Sequence, residues 1–173
     1  MTHVANPDQL LEKLATDLEN LMEQRHITDP LMVGIHTGGA WLADQLHKKL
    51  NIQQPLACLD ISFYRDDFSR IGMNPQVKAS KLPPQVEDCH IILVDDVLHS
   101  GRTIRAAMNE LFDYGRPASI TLACLVERTG RELPIQADAV GQTLELGSNE
   151  HIKLTGPEPL AWEIKRIDSQ KAD

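Results

Sequence analysis

The sequence predicts an α/β fold: a mostly parallel, twisted sheet flanked by helices. Three observations lead there. Apolar runs of strand length recur along the chain, at Leu31 to Ile35, Ile91 to Val94 and Ser119 to Val126. Stretches of helical period lie between them. In the central one Ile104, Ala107, Met108, Leu111 and Phe112 fall at i, i+3, i+4, i+7 and i+8, one face of a helix. Aromatics make up only 4% of the chain, so its apolar content is chiefly Leu, Ile, Val and Ala, which suits strands covered by helices on both faces. At 173 residues the chain reads as one domain, residues 1–173, long enough to bury a substantial core.

The elements follow in order. Asn6-Pro7 reads as the N-cap and first residue of a helix, whose stripe of Leu11, Leu14, Leu18, Leu21 and Met22 runs to about Arg25. Asp29-Pro30 marks a turn before the Leu31–Ile35 strand. That strand runs into His36-Thr37-Gly38-Gly39 and a second helix through Trp41, Leu42, Leu46 and Leu50. Pro55 to Ser62 reads as a strand. The polar stretch from Phe63 to Pro84, which holds Arg65, reads as a lid or hairpin, because so long a connection is uncommon in a compact domain. The central strand and helix come next, and Gly115 and Pro117 stop that helix. Ser119 to Val126 ends in Glu127-Arg128, and Ala137 to Val140 is a fifth candidate strand. Ile152/Leu154 and Trp162/Ile164 alternate with polar neighbours, predicting a small antiparallel C-terminal edge that turns at Gly156-Pro157-Glu158-Pro159. Asp168 to Asp173 reads as a frayed end.

Composition narrows the function classes. Acidic residues number 25 and basic residues 17, a net charge of −8, which argues against broad nucleic-acid binding but leaves room for a local basic patch. Cys58, Cys89 and Cys124 are far apart, with no metal spacing and no CxxC, and read as core thiols of a reducing cytoplasm. No apolar run approaches the roughly 20 residues of a membrane span, and no signal peptide is evident. The expected location is therefore cytoplasmic.

The chemistry concentrates between His90 and Leu111. After the apolar run come Asp95 and Asp96, then His99-Ser100-Gly101-Arg102-Thr103, which opens the helix. Backbone N–H groups at a helix N-terminus bind phosphate. Gly101 lets the backbone approach an anion, and the Ser100 and Thr103 hydroxyls can donate. Asp95 and Asp96 would repel phosphate but suit two ribose hydroxyls. Together these sites describe a ribose 5-phosphate. The His36–Gly39 loop repeats the strand–Gly loop–helix layout, without the Lys-Ser/Thr of a Walker A loop and without G-x-G-x-x-G. In a doubly wound sheet, Glu127-Arg128 lies at the same end as Asp95 and Gly38. A receiver-type signalling domain also carries an acidic pair, but near its first strand. Here the pair is mid-chain and is followed by Ser-Gly-Arg-Thr.

At these residues a resemblance enters. VDDVLHSGRT, Val94 to Thr103, resembles the phosphoribosyl-diphosphate (PRPP) signature of type I phosphoribosyltransferases. Together with LDISFYRDD (Leu59 to Asp67), GRTIRAAMNEL, GRPASITLACLVER (Gly115 to Arg128) and GRELPIQAD (Gly130 to Asp138), it makes most of the chain similar to the PyrR family. These are pyrimidine-operon attenuation regulators with uracil phosphoribosyltransferase activity. The resemblance implies a type I phosphoribosyltransferase fold with a flexible lid loop that closes over PRPP. It implies a pentosyltransferase converting PRPP and uracil to UMP and pyrophosphate, with Mg2+ held mainly by PRPP and water. A homodimer or higher homo-oligomer is implied too, and so is binding of leader RNA, favoured by UMP.

The resemblance also assigns residues. Asp95, Asp96 and His99 are the catalytic candidates. Thr37, Gly38, Gly39 and Arg65, with Asp95, Asp96, Val97, Leu98, His99, Ser100, Gly101, Arg102 and Thr103, are the PRPP and nucleotide candidates. Val126, Glu127 and Arg128 are the base candidates. The chain departs from the family pattern in three places. Gly38 stands where the family commonly has Arg, removing a cation from the pyrophosphate loop. His99 stands where PyrR often has Tyr, and reads either as a proton relay or as a loop residue with a backbone role. Gln136 stands where members often have Arg, which leaves Arg131 as the retained cation of GRELPIQAD and weakens the RNA reading. A purine phosphoribosyltransferase is the closest rival, since base specificity rests in main-chain contacts.

Overall fold

A computed structural model describes residues 2–61 and 86–168. The sequence-predicted lid from Phe63 to Pro84, with Arg65, lies outside the described residues, as do Ser62 and residues 169–173. Helix α1 (Pro7–Gln24) leads into β1 (Leu31–Ile35), α2 (Gly38–Lys49) and β2 (Ala57–Leu59). After the break come β3 (His90–Leu98), α3 (Arg102–Asp113), β4 (Ser119–Arg128) and β5 (Ala139–Leu144), then β6 (Glu150–Thr155) and β7 (Ala161–Arg166). The strands form a five-stranded sheet in the order β2-β1-β3-β4-β5, with every pairing parallel.

Strand alternation divides the core in two. Met32, Ile92, Val94, Ala123 and Leu125 face one way and pack with Leu11, Leu14 and Leu18 of α1 and Leu42 and Leu46 of α2. Leu31, Val33, Ile35, Ile91, Leu93 and Leu122 face the other way and pack with Ile104, Ala107 and Leu111 of α3. Burying each such Leu or Ile is worth about 1.5–3 kcal/mol, so both layers are held by their helices. Helix α1 starts as expected: Pro7 is its first residue, and Asn6 Oδ1 accepts the Asp8 N–H at 2.8 Å.

Several expectations need correction. The central strand does not stop at Val94. Parallel pairing with the longer β4 carries β3 on through Val97↔Val126 and Leu98↔Glu127, so Asp95 and Asp96 lie within the strand rather than just after it. The fifth strand begins at Ala139 and runs to Leu144, not from Ala137 to Val140. Asp138 holds its start: its carboxylate accepts the Leu122 N–H at 2.8 Å, and Arg25 donates to the same carboxylate at 2.8 Å. Phe112 is 57% exposed and does not belong to the buried stripe of α3. The C-terminal pair β6–β7 is antiparallel, with Ile152↔Ile164 and Leu154↔Trp162 in register, but it forms a separate two-stranded sheet. Of the three cysteines only Cys124 is fully buried; Cys58 and Cys89 are half-buried. Among the described residues, no helix is long and apolar enough to cross a membrane.

Candidate active site

The C-terminal end of β3 forms the floor of the site. Alternation sends Asp95 and Asp96 to opposite faces. Asp95 is 2% exposed, and its Oδ1 accepts the Asp96 N–H at 2.9 Å. Asp96 is half-buried, and its Oδ1 accepts the Val97 N–H at 2.9 Å. The loop that opens α2 comes down onto this pair. A Cβ at Gly38 would stand 2.4 Å from Asp96 Oδ2, and one at Gly39 would stand 2.5 Å from the Val94 carbonyl oxygen. The two glycines therefore permit contact between loop and acidic pair that any side chain would push apart. Thr37, the N-cap residue of α2, is exposed beside them.

The second loop, His99 to Thr103, leads into α3. Its turn is made by Gly101 at φ +92, a left-handed conformation that glycine adopts without penalty. As N-cap, Gly101 brings no side chain of its own to the first turn of α3, where helix N-terminal amides suit an anion, although the Arg102 amide there is capped by Ser100 Oγ. Ser100 is 8% exposed, and its Oγ accepts the Arg102 N–H at 3.2 Å. Its carbonyl accepts the N–H groups of Glu132 at 2.9 Å and Leu133 at 3.1 Å.

Residues 130–135 clamp this loop from outside. The Arg131 guanidinium donates from Nε to the His99 carbonyl at 2.8 Å, from Nη1 to the Ile135 carbonyl, and from Nη2 to Glu127 Oε1 at 2.7 Å. The His99 ring lies against Gly130, where a Cβ would stand 2.7 Å from Nε2. Ile135 covers Gly101, with its Cβ 3.1 Å from where a glycine Cβ would be. Sequence reasoning noticed Arg131 only as a surface cation. The signal was the Gly-Arg-Glu-Leu-Pro run directly after a strand end, but its partners are distant in sequence.

Comparison with known proteins shows the family. The phosphoribosyl transferase domain family matches residues 6–158. The bifunctional protein PyrR of Nitrosococcus oceani is 59% identical over 165 residues, covering 94% of this chain and 93% of that protein. The bifunctional protein PyrR of Pseudomonas aeruginosa is 57% identical over 164 residues, covering 95% of this chain and 96% of that one. The chain belongs to the PyrR family of phosphoribosyltransferases. Solved structures share the fold. A hypoxanthine-guanine-xanthine phosphoribosyltransferase superposes with a TM-score of 0.60 at 20% identity, covering 81% of this chain and 76% of that one. A hypoxanthine phosphoribosyltransferase from Staphylococcus aureus superposes with a TM-score of 0.62 at 19% identity, covering 81% and 75%.

In this PyrR-family chain the remaining candidates are placed unevenly. Arg102 donates from Nε to Glu132 at 2.8 Å, so its guanidinium is drawn to the clamp. Val126 is fully buried in the core, and the Glu127 carboxylate holds Arg131. Arg128 departs from the expectation. Sequence reasoning put it beside the base, but it is only 5% exposed. Its guanidinium donates to the carbonyls of Glu150 at 2.6 Å, Gly147 at 3.1 Å and Thr129 at 3.4 Å. A buried guanidinium must find acceptors, and the bend before β6 supplies them. Burial lowers its pKa, and the Glu150 carboxylate raises it in part. Cys124 sits in register with Asp95. Burial first, then the carboxylates of Asp95 and Glu127, push its thiol pKa up and keep it neutral. Among the described residues, no group of three or more His, Cys, Asp or Glu side chains is placed to hold a metal ion.

Proposed function

We propose that this phosphoribosyltransferase joins uracil to the ribose of PRPP, releasing pyrophosphate and forming UMP. The observation that carries the reading is the contact between the Gly38-Gly39 loop and the Asp95-Asp96 pair, with the Gly101 turn following directly on the same strand. This layout supports a reading with a diol held between two anions. Asp95 and Asp96 would hold the two ribose hydroxyls, and the amides and hydroxyls of Ser100 to Thr103 the 5-phosphate. Thr37, Gly38 and Gly39 would offer backbone N–H groups to the pyrophosphate. The base would lie against the ends of β3 and β4, beside Val126 and Glu127. His99 takes the loop role in this reading, because its carbonyl is what the clamp holds.

Little covalent chemistry falls to the protein. The bond from ribose C1 to pyrophosphate breaks, the bond from C1 to a uracil nitrogen forms, and that nitrogen passes its proton to the departing pyrophosphate. Positioning the reactants and stabilising the developing charge dominate such a step. The donor set fits Mg2+, which takes hard oxygens from one or two carboxylates and completes its shell with substrate oxygens and water. It would be held mainly by PRPP oxygens and water, with Asp95 and Asp96 reaching it through the ribose hydroxyls or metal-bound water, and it would neutralise charge on the departing pyrophosphate. The relatives are named bifunctional, but the described residues add nothing to the leader-RNA reading, since Arg131 is turned inward onto three internal acceptors.

The test is an initial-rate comparison with uracil, hypoxanthine, guanine and orotate at fixed PRPP and Mg2+. Uracil is expected to be used at a rate at least tenfold above the others, about 1.4 kcal/mol of discrimination. Replacing Asp96 by Asn is expected to cut the uracil rate by about ten- to a hundredfold, the scale of one charge-assisted hydrogen bond. Preference for a purine base would overturn the uracil assignment, and near-normal turnover by Asp96→Asn the role of the acidic pair.

A further inference from the structure

A second pair of chemically active side chains lies behind the pyrophosphate-side loop. Cys58 of β2 and His36, the residue after β1, approach with Sγ 3.1 Å from Nε2. Their meeting follows from strand parity. Ala57 and Leu59 turn into the core under α3, as do Val33 and Ile35, so Cys58 and His36 turn to the face carrying α2. Gly34, the register partner of Cys58, adds no side chain there. The His36 N–H also donates to the Leu59 carbonyl at 2.9 Å, holding the two strand ends together. Both residues are half-buried, and β2 is the outer strand of the described sheet. His36 also borders an open cavity of about 600 Å3 with Thr37, Trp41, Lys48 and Pro157.

We propose that Cys58 is a thiol-modification site, taking low-molecular-weight disulfides of the glutathione kind, with His36 as its proton acceptor. A thiol reacts as its thiolate, and a nearby imidazole promotes that form. With Nε2 unprotonated, His36 accepts the Sγ–H proton. The Cys58 sulfur attacks one sulfur of the small disulfide, a mixed disulfide forms, and the other half leaves as a thiolate that takes up the proton. The modified sulfur no longer carries the His36 contact. His36 leads directly into Thr37-Gly38-Gly39, which has no clearance above Val94 and Asp96. Modification at Cys58 therefore disturbs the loop and lowers transferase activity. Cys124 is the internal control, since it is buried and its thiol stays neutral.

The experiment exposes the full-length reduced protein to glutathione disulfide and follows each cysteine by peptide mass mapping, with transferase rate measured in parallel. Cys58 is expected to form the mixed disulfide about tenfold faster than Cys89, which is also half-buried, with Cys124 unmodified. His36→Asn is expected to slow Cys58 by about tenfold and leave Cys89 unchanged. The transferase rate should fall with Cys58 occupancy and recover with dithiothreitol, while Cys58→Ser keeps its activity through the treatment. Equal rates at Cys58 and Cys89 in the wild-type protein would overturn the site, and an unslowed His36→Asn would overturn the role of His36. Full Cys58 modification with unchanged turnover would overturn the coupling. The coupling rests on the proposed transferase reading, whereas the mass readout does not. An untreated protein without transferase activity would refute that reading and leave the site to be decided by mass.

Discussion

Gly38 and Asp96 touch without an intervening side chain: a Cβ on Gly38 would stand 2.4 Å from Asp96 Oδ2 and 3.0 Å from Asp96 Cβ. Gly39 differs, because its Cβ would meet backbone, the Val94 oxygen at 2.5 Å and Asp95 Cα at 3.0 Å. A carboxylate can rotate away and a strand backbone cannot. Gly39→Ala is therefore expected to lose about 1–3 kcal/mol of stability, the usual cost of overpacking. Thermal unfolding would show it as a fall in Tm of about 2–4 °C per kcal/mol. Gly38→Ala is expected to unfold near the wild-type temperature but to raise the KM for PRPP by roughly tenfold, since Asp96 is pushed off the position proposed for the ribose diol. A larger Tm loss for Gly38→Ala than for Gly39→Ala would contradict this.

Arg131 ties three separate segments to one guanidinium: the His99 carbonyl, the Ile135 carbonyl and the Glu127 carboxylate. Its side chain is 25% exposed and that of Glu127 24%, so the pair keeps part of its strength against solvent. Arg131→Ala is expected to cost about 1–3 kcal/mol by urea denaturation, since it leaves partly buried acceptors unpaired. It should also raise the KM for PRPP, because the 99–103 loop loses its outer support. Arg131→Lys should fail to restore either property, as one ammonium cannot match a fork of fixed donors. Full rescue by Lys would reduce the clamp to a matter of charge.

Glu150 ties the bend at Gly147 to Arg166 at the end of the C-terminal hairpin. Its Oε2 accepts the Gly147 N–H at 3.0 Å and its Oε1 accepts from Arg166 Nε at 3.1 Å. The Gly147 amide first, then Arg166, holds its carboxyl below the usual carboxylate range. A carboxyl depressed in the folded state contributes stability above the unfolded pKa and loses it as pH falls through the folded one. Glu150→Gln should therefore lower Tm at neutral pH, with the gap to wild type closing as pH drops through and below the ordinary carboxylate range. Tm series at matched ionic strength would check this, and a gap that ignores pH would count against it.

Local signals were strong where one segment decided the outcome. The Asn6-Pro7 helix start, the β1 run from Leu31 to Ile35 and the Gly156–Pro159 turn were all legible, because capping, burial and turn geometry act within a few residues. The acidic pair and the Gly101 turn were legible for the same reason: Asp95 to Thr103 are contiguous. Other features depended on partners elsewhere in the chain. The extent of β3 was set by β4, and the start of β5 by Asp138 and Arg25.

The sequence by itself determined the alternation of strands and helices, the family, and the stretch that carries the acidic pair and the Ser-Gly-Arg-Thr loop. Only the tertiary structure decided what the cations do: Arg128 ties the hairpin, Arg131 clamps the second loop, and Arg102 turns to Glu132. It alone brought His36 to Cys58 and Gly38 to Asp96. The reason is physical. Helical and strand periods are local properties of the chain, whereas a charged or reactive side chain takes its role from whichever acceptors the packing places within hydrogen-bond distance.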